Sequence, residues 1–208
     1  MLKKKFIFIV FEGIEGTGKS YQITKLYKSL KKRKYKVIKS REPGGSKTAE
    51  LIRKVIFSDQ SHQFDKLTDF YLMNAARNEH VKKIILPAKK NKHIVISDRF
   101  TDSTYAYQVI GNKIDKKINL LNQKYILKNL KPHLTIVLKS NFKSIFDRIK
   151  KRKENNKFDK LKKNFYKKAQ NTYVSLCKKN RNYFLFDSSA NTPRLEKDIL
   201  ELVLKKIK

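Results

Sequence analysis

The sequence predicts an α/β domain, a five-stranded parallel sheet flanked by helices on both faces. Three observations predict it. Short continuous apolar runs alternate along the chain with longer segments whose apolar residues recur every three or four positions. The short runs lack the apolar–polar alternation of a half-exposed sheet, as strands covered on both faces do. A glycine-rich loop, GIEGTGKS at residues 13–20, separates the first such run from the first helical segment, and a helix that opens on such a loop presents free N–H groups to anions.

Residues 5–11, KFIFIVF, form the first strand, and a helix follows over about 18–34. KVIKS at 36–40 is a short second strand, and REPGGS after it is turn chemistry. TAELIRKVIF at 48–57 has apolar residues at helical spacing. A long helix spans 65 to about 90, with a kink expected at Pro87, which lacks an N–H. HIVIS at 93–97 is the next buried strand, followed by helices over about 102–109 and 115–130. LTIVL at 134–138 is the fourth strand; helices at 142–151 and 159–179 lead to the fifth, YFLFD at 183–187. The last helix, 192–207, has Pro193 in its first turn, where a missing N–H is harmless. No repeat or linker divides residues 1–208, so the chain reads as one domain with five buried strands. The polar stretch 150–160 between two helices reads, on its charge alone, as a solvated turn.

The net charge of +33 suggests a nucleic-acid partner or an anionic surface. Composition argues for a simpler cause. Only nine of the 51 basic residues are arginine, Lys, Asn, Ile, Phe and Tyr abound, and Gly and Pro are scarce. Drift of the coding sequence toward A and T produces that pattern. The lysines are scattered, with no basic tail and no aromatic interleaving, so nucleic acid is not the expected partner. Against such drift each retained arginine marks a place where a planar fork is needed, and Arg41, Arg53, Arg77, Arg99 and Arg148 all fall in motif-bearing stretches. The single cysteine, Cys177, excludes an intrachain disulfide and favours a reducing compartment. The apolar run at 6–11 is too short for a signal peptide or a membrane span, so a cytoplasmic location is expected.

Gly13, Gly18, Lys19 and Ser20 match G-x-x-x-x-G-K-[ST]. Backbone N–H groups from Gly13, Ile14, Glu15, Gly16, Thr17 and Gly18 would cradle phosphates, Lys19 would reach the β- and γ-phosphates, and Ser20 would ligate Mg²⁺. Asp98, at the end of a buried strand, is placed to hold the same Mg²⁺ through water. No Asp-x-x-Gly or Asn-Lys-x-Asp stretch of a GTPase is present. Arg99 follows directly, which suits a second phosphate belonging to an acceptor. Two carboxylates, Glu12 and Glu15, sit where an anion is expected to bind and need a separate explanation.

FEGIEGTGKS, REPGGS followed by AELIR, AAR and DRFTDSTYAYQ, in this order and spacing, resemble bacterial thymidylate kinase, a P-loop nucleoside-monophosphate kinase family with a short lid. The resemblance implies Mg²⁺-dependent transfer of the γ-phosphoryl of ATP to dTMP, and a homodimer. It implies that Glu15 faces the acceptor sugar, that Glu42-Pro43 is a cis peptide shaping the acceptor pocket, that Arg53 grips the dTMP phosphate, and that Arg77 reads the base. Thr104 and Gln108 would face the pyrimidine edge. Tyr107 would pack near C2′ and exclude a ribose hydroxyl. Glu12 would be structural or near the metal.

Two positions depart from the family pattern. Where the family stacks a phenylalanine on thymine, this chain has Met73; a thioether can cover a ring by softer contact, and Phe70, one turn earlier, is an alternative cover. The P-loop carries no arginine, so cationic charge for the transition state must come from the lid, about 150–160, through Arg148 and Arg152, with Lys157 in the family's lid-arginine slot. This need overrides the solvated-turn reading of that stretch. Another deoxynucleoside monophosphate as acceptor, or a basic nucleic-acid-binding P-loop protein, are the alternatives.

Overall fold

Every residue of β1 (Ile7–Glu12) is buried, because strands flank it on both edges and helices cover both of its faces. The computed structural model describes residues 5–58, 64–151, 158, 161–190 and 192–207. α1 (Lys19–Lys32) leads to β2 (Val37–Arg41), then α2 (Lys47–Ile56) and α3 (Lys66–His80). α4 (Leu86–Lys90) precedes β3 (Ile94–Asp98); α5 (Thr101–Thr104) and α6 (Lys116–Leu127) precede β4 (Leu134–Lys139). α7 (Phe142–Lys150), α8 (Lys163–Lys179), β5 (Tyr183–Asp187) and α9 (Pro193–Ile207) complete the chain. The strands form one sheet in the order β2-β3-β1-β4-β5, all parallel.

The two faces of β1 carry two cores. Ile7, Ile9 and Phe11 pack with Leu26 and Leu30 of α1 and with Ile199 and Val203 of α9. Phe8 and Val10 point the other way, to Val81, Ile85, Ala88 and Phe100. A third cluster joins Val137 to Tyr107, Ile145 of α7 and Tyr166, Ala169 and Tyr173 of α8. Phe11, Phe100 and Ile14 carry the three clusters to the carboxyl ends of β1 and β3 and into the loop after β1.

Two expectations need correction. The fifth strand is not buried: β5 is an edge strand, and Phe184 and Leu185 are each 37% exposed. β2 occupies the other edge, with Lys39 and Arg41 exposed. An apolar run reveals a strand but not its rank in the sheet. Ahead of Pro87 the helix widens into a π turn, Val81–Ile85, in which the Leu86 N–H donates to the Val81 carbonyl. That widening accommodates a ring that would otherwise strike a carbonyl of the preceding turn. A second π turn, Tyr105–Gly111, extends α5. The helix expected from residue 159 starts at Lys163; residues 159 and 160 lie outside the described residues.

β2 is tied to α3 by a buried polar cluster. Glu42 accepts from Arg77 Nε at 2.8 Å and lies 2.9 Å from His80 Nδ1; His80 Nε2 is 2.7 Å from Ser40 Oγ. Burial alone would raise the Glu42 carboxyl's pKa, but Arg77 and His80 outweigh it and hold it below the usual value. Removing the carboxylate leaves a guanidinium buried without its counter-charge. Glu42→Ala is expected to lower unfolding free energy by about 3–5 kcal/mol, read as a shift of the urea midpoint.

Candidate active site

The loop after β1 turns on glycines. Gly13, Gly16 and Gly18 have φ of 140°, 74° and 84°, a region that side chains resist. A Cβ on Gly16 would stand 2.7 Å from the Ile145 carbonyl oxygen, so α7 packs against the loop at backbone distance. Ile14 and Thr17 are fully buried, and Thr17 Oγ1 donates to the Ile14 carbonyl at 2.7 Å. Lys19 Nζ donates to the carbonyls of Gly13 and Ile14, both at 2.9 Å. Burial lowers the Lys19 pKa to about 8; the Arg99 charge adds to this, while Asp98, Glu15 and Glu12 oppose it. Ser20 Oγ donates to Asp98 Oδ2 at 3.0 Å, and Asp98 Oδ1 is buried without a hydrogen-bond partner among the described residues.

One cleft is lined by Lys19, Ser20 and Asp98 together with Glu15, Arg53, Arg99 and Tyr107. Glu42, Pro43, Met73, Arg77, Thr104 and Gln108 line it as well, so every residue expected on the acceptor side is gathered there. The Glu42-Pro43 peptide is cis. Arg53 Nη1 donates to the Pro43 carbonyl at 2.7 Å, and the guanidinium lies 4.4 Å from the centre of the Phe57 ring. Arg77 is 3% exposed; besides Glu42 it donates to the Phe100 carbonyl at 3.0 Å.

The two P-loop carboxylates face different partners. Glu15 Oε1 accepts from Arg99 Nη2 at 2.6 Å, and Glu15 Oε2 accepts from the Tyr107 hydroxyl. Glu12 turns away from the loop: Oε1 accepts from the Phe100 N–H at 2.8 Å and Oε2 from Ser103 Oγ at 2.7 Å. Burial, with the neighbouring Asp102 charge, raises the Glu12 pKa to about 7; Arg99, Ser103 and Phe100 pull it back. Arg99 has φ of 73°, and its N–H donates to the Phe11 carbonyl at 2.9 Å. Its ion-pair partner is Glu15 rather than its chain neighbour Asp98. Burial opposes the Arg99 charge, yet Glu15 and the flanking tyrosines raise its pKa further above the usual range.

Arg148 donates from Nη1 to the Gly16 carbonyl at 3.2 Å and from Nη2 to the carbonyls of Ser188 and Ser189 at 2.8 and 2.9 Å. It thus links α7, the P-loop and the turn after β5. Arg152 and Lys157 lie outside the described residues. Phe70 is fully buried and does not line the cleft, which removes it as a cover for the base. The rings that do line it are Phe57, Phe100, Tyr107 and Phe158. Phe57 stands edge-on to Phe158 at 5.8 Å, and Phe158 to Tyr107 at 5.6 Å. Sequence reasoning missed Phe57, Phe158, Ser103 and Tyr173. Phe57 ends a helix in an unremarkable apolar run, Phe158 stands among charges, and the partners of Ser103 and Tyr173 are distant in sequence.

A family model described as thymidylate kinase matches residues 11–199. A thymidylate kinase of Mycoplasma capricolum subsp. capricolum is 36% identical over 205 residues, covering 97% of this chain and 96% of the relative. One from Mycoplasma genitalium is 38% identical over 204 residues, covering 94% and 93%. The crystal structure of thymidylate kinase from Ehrlichia chaffeensis superposes with a TM-score of 0.77 at 27% identity, covering 96% of this chain and 99% of that one.

The lowered Lys19 pKa carries a sign. Above about pH 8 the free side chain loses its proton, and a bound polyphosphate favours the charged form and raises the pKa again. ATP binding above about pH 8 is therefore expected to take up protons. Calorimetry in buffers of different ionisation enthalpy reads that uptake directly, and Lys19→Met is expected to abolish it.

Proposed function

The chain belongs to the thymidylate kinase family, and on that premise we propose that one cleft holds ATP and dTMP phosphate to phosphate, with Glu15 and Arg99 at the junction. The protein is a kinase that passes the γ-phosphoryl of ATP to dTMP and so forms dTDP. The observation that carries the residue assignment is that Lys19, Ser20 and Asp98 line the same cleft as Arg53, Arg99 and Tyr107. Phosphoryl transfer needs little covalent help from a protein; positioning and positive charge supply most of the catalysis.

In this reading the main-chain N–H groups from Gly13 to Gly18 and Lys19 hold the ATP phosphates. Lys19 exchanges its two loop carbonyls for phosphate oxygens. Arg53 and Arg99 grip the dTMP phosphate. Their planar forks suit its oxygens better than a point charge does. Glu15 and Tyr107 face the sugar, where a carboxylate accepts from a hydroxyl and a ring crowds C2′. Arg77, Thr104 and Gln108 face the base, and Met73 covers it together with the Phe57 and Phe158 rings. The P-loop itself carries no arginine, so Arg148, which already touches Gly16, is assigned to the ATP side with Arg152 as a further lid cation.

Ser20 and Asp98 are the residues that fit Mg²⁺. A buried carboxylate oxygen without a partner, beside a hydroxyl on the same carboxylate, is suited to a hydrated cation. Among the described residues no cluster of three His, Cys, Asp or Glu could hold a metal, and a sparse protein ligand set is usual for Mg²⁺ on a polyphosphate. When bound there, the ion offsets charge on the phosphates being brought together.

The helices α2, α3 and α6 pack side by side and expose Leu51, Val55, Tyr71, Leu121 and Tyr125. We assign this face to a second copy of the chain, which makes the protein a homodimer. Among the described residues no helix is long and apolar enough to cross a membrane. A cytoplasmic location is proposed from the ATP requirement and from the lone free cysteine.

ADP release with ATP and Mg²⁺ against dTMP, dUMP, dCMP and dGMP tests the acceptor. dTMP is expected to exceed dUMP in kcat/KM by about tenfold or more, the worth of one methyl in an apolar pocket. Equal rates with dUMP would show that Met73 and its neighbours do not read the methyl group.

A further inference from the structure

Arg99 uses three of its five N–H groups before any nucleotide arrives. One goes to Glu15. The two on Nη1 go to Ser103 Oγ at 2.9 Å and to the Tyr173 hydroxyl at 3.3 Å. Ser103 Oγ in turn stands 2.7 Å from Glu12 Oε2 and 2.9 Å from the Tyr173 hydroxyl. A hydroxyl has one hydrogen to give and two lone pairs to receive with. A guanidinium only donates and an ionised carboxylate only accepts. With Glu12 ionised, the hydrogens can be arranged in one way: Ser103 donates to Glu12 and accepts from Arg99 and from Tyr173, and Tyr173 accepts the second Arg99 hydrogen. Every polar atom in the cluster is then used.

We propose that Ser103 and Tyr173 are positioning residues, which hold the Arg99 guanidinium so that its remaining N–H groups form the fork for the acceptor phosphate. Those groups, on Nε and Nη2, have no hydrogen-bond partner among the described residues, and Arg99 lines the cleft. The anchors come from separate parts of the fold: Glu12 from the end of β1, Ser103 from α5 and Tyr173 from the middle of α8. Ser103 is also fixed through its own N–H, which donates to Glu12 Oε1 at 3.3 Å. Tyr173 is 1% exposed and packed in the cluster that contains Tyr107, so its hydroxyl has little freedom to leave. An unanchored arginine would lose rotamer freedom on gripping a phosphate; here that ordering is complete before binding.

This proposal rests on the reading that Arg99 grips the acceptor phosphate, and the test separates the two. Steady-state constants are measured for Ser103→Ala and Tyr173→Phe, alone and combined with Arg99→Lys, which keeps the charge and removes the fork. Each single change is expected to raise the KM for dTMP about 5- to 10-fold and to leave the KM for ATP within about twofold. In the Arg99→Lys background the same changes are expected to add less than about twofold, because there is no fork left to position. Equal losses in both backgrounds overturn the proposal and make the cluster merely structural. If Arg99→Lys raises the KM for dTMP while neither Ser103→Ala nor Tyr173→Phe does, positioning fails and the grip stands. If Arg99→Lys leaves that KM unchanged, the grip itself fails and the proposal with it. Should Ser103→Ala not fold, Tyr173→Phe decides alone, since it removes a single oxygen.

Discussion

The ion pair between Glu15 and Arg99, 2.6 Å long and largely shielded from water, is the contact on which the site depends. It fastens the loop after β1 to the turn after β3, and both segments border the cleft. On the proposed reading two anionic nucleotides meet in this cleft, and a naked cluster of cations would suit them electrostatically. Such a cluster would also repel itself in the empty protein. A carboxylate inside the phosphate loop resolves the conflict. It neutralises one edge of Arg99 and leaves another edge for a ligand. The desolvation of both groups is severe, and pairs of this kind add little to stability once it is counted. Orientation is what the pair supplies.

Glu12 solves a different problem with the same chemistry. Its carboxyl is buried beside Asp102, and its pKa, raised to about 7, means that ionisation costs more in the fold than in water. Because the folded value lies above the ordinary one, the group contributes more stability at acid pH and loses it as pH rises through about 7. A sequence selected for stability alone would place an apolar residue at the end of β1, where everything else on the strand is apolar. The carboxylate instead binds the Phe100 N–H and Ser103, and so fixes the turn that carries Arg99 in a left-handed backbone conformation. Strain and a disfavoured charge at one turn are the pattern expected where function overrides packing.

The sheet was legible because its signals are local. Continuous apolar runs named β1, β3 and β4, and the glycine spacing named the phosphate loop. The scarcity of arginine was equally informative. Of the five arginines marked by their motifs, Arg41, Arg53, Arg77 and Arg99 line the cleft, and Arg148 touches its loop. What escaped sequence reading depends on partners far apart in the chain. Ser103 meets Glu12 across 91 positions and Tyr173 across 70, and no periodicity encodes either meeting. The exposure of β5 escaped for a related reason, since edge position is a property of strand order. The π turns left no trace because they differ from an α-helix by one residue in hydrogen-bond register, a difference set by packing.

The same contrast accounts for the charge of +33. Among the described residues Lys19 is the only buried lysine, whereas Arg77 and Arg99 are held inside by Glu42 and Glu15. Desolvated cations act on a phosphate through a low effective dielectric. Exposed lysines act through water and salt, with a screening length of about 8 Å at physiological ionic strength. The surface excess can hasten the arrival of anionic nucleotides, but it distinguishes none of them. Exposed positions therefore tolerate lysine. The cleft does not, because a lysine in place of Arg53 or Arg99 would keep the charge and lose the fork. The distribution of the two cations over the fold is thus itself a map of where geometry, rather than charge, was required.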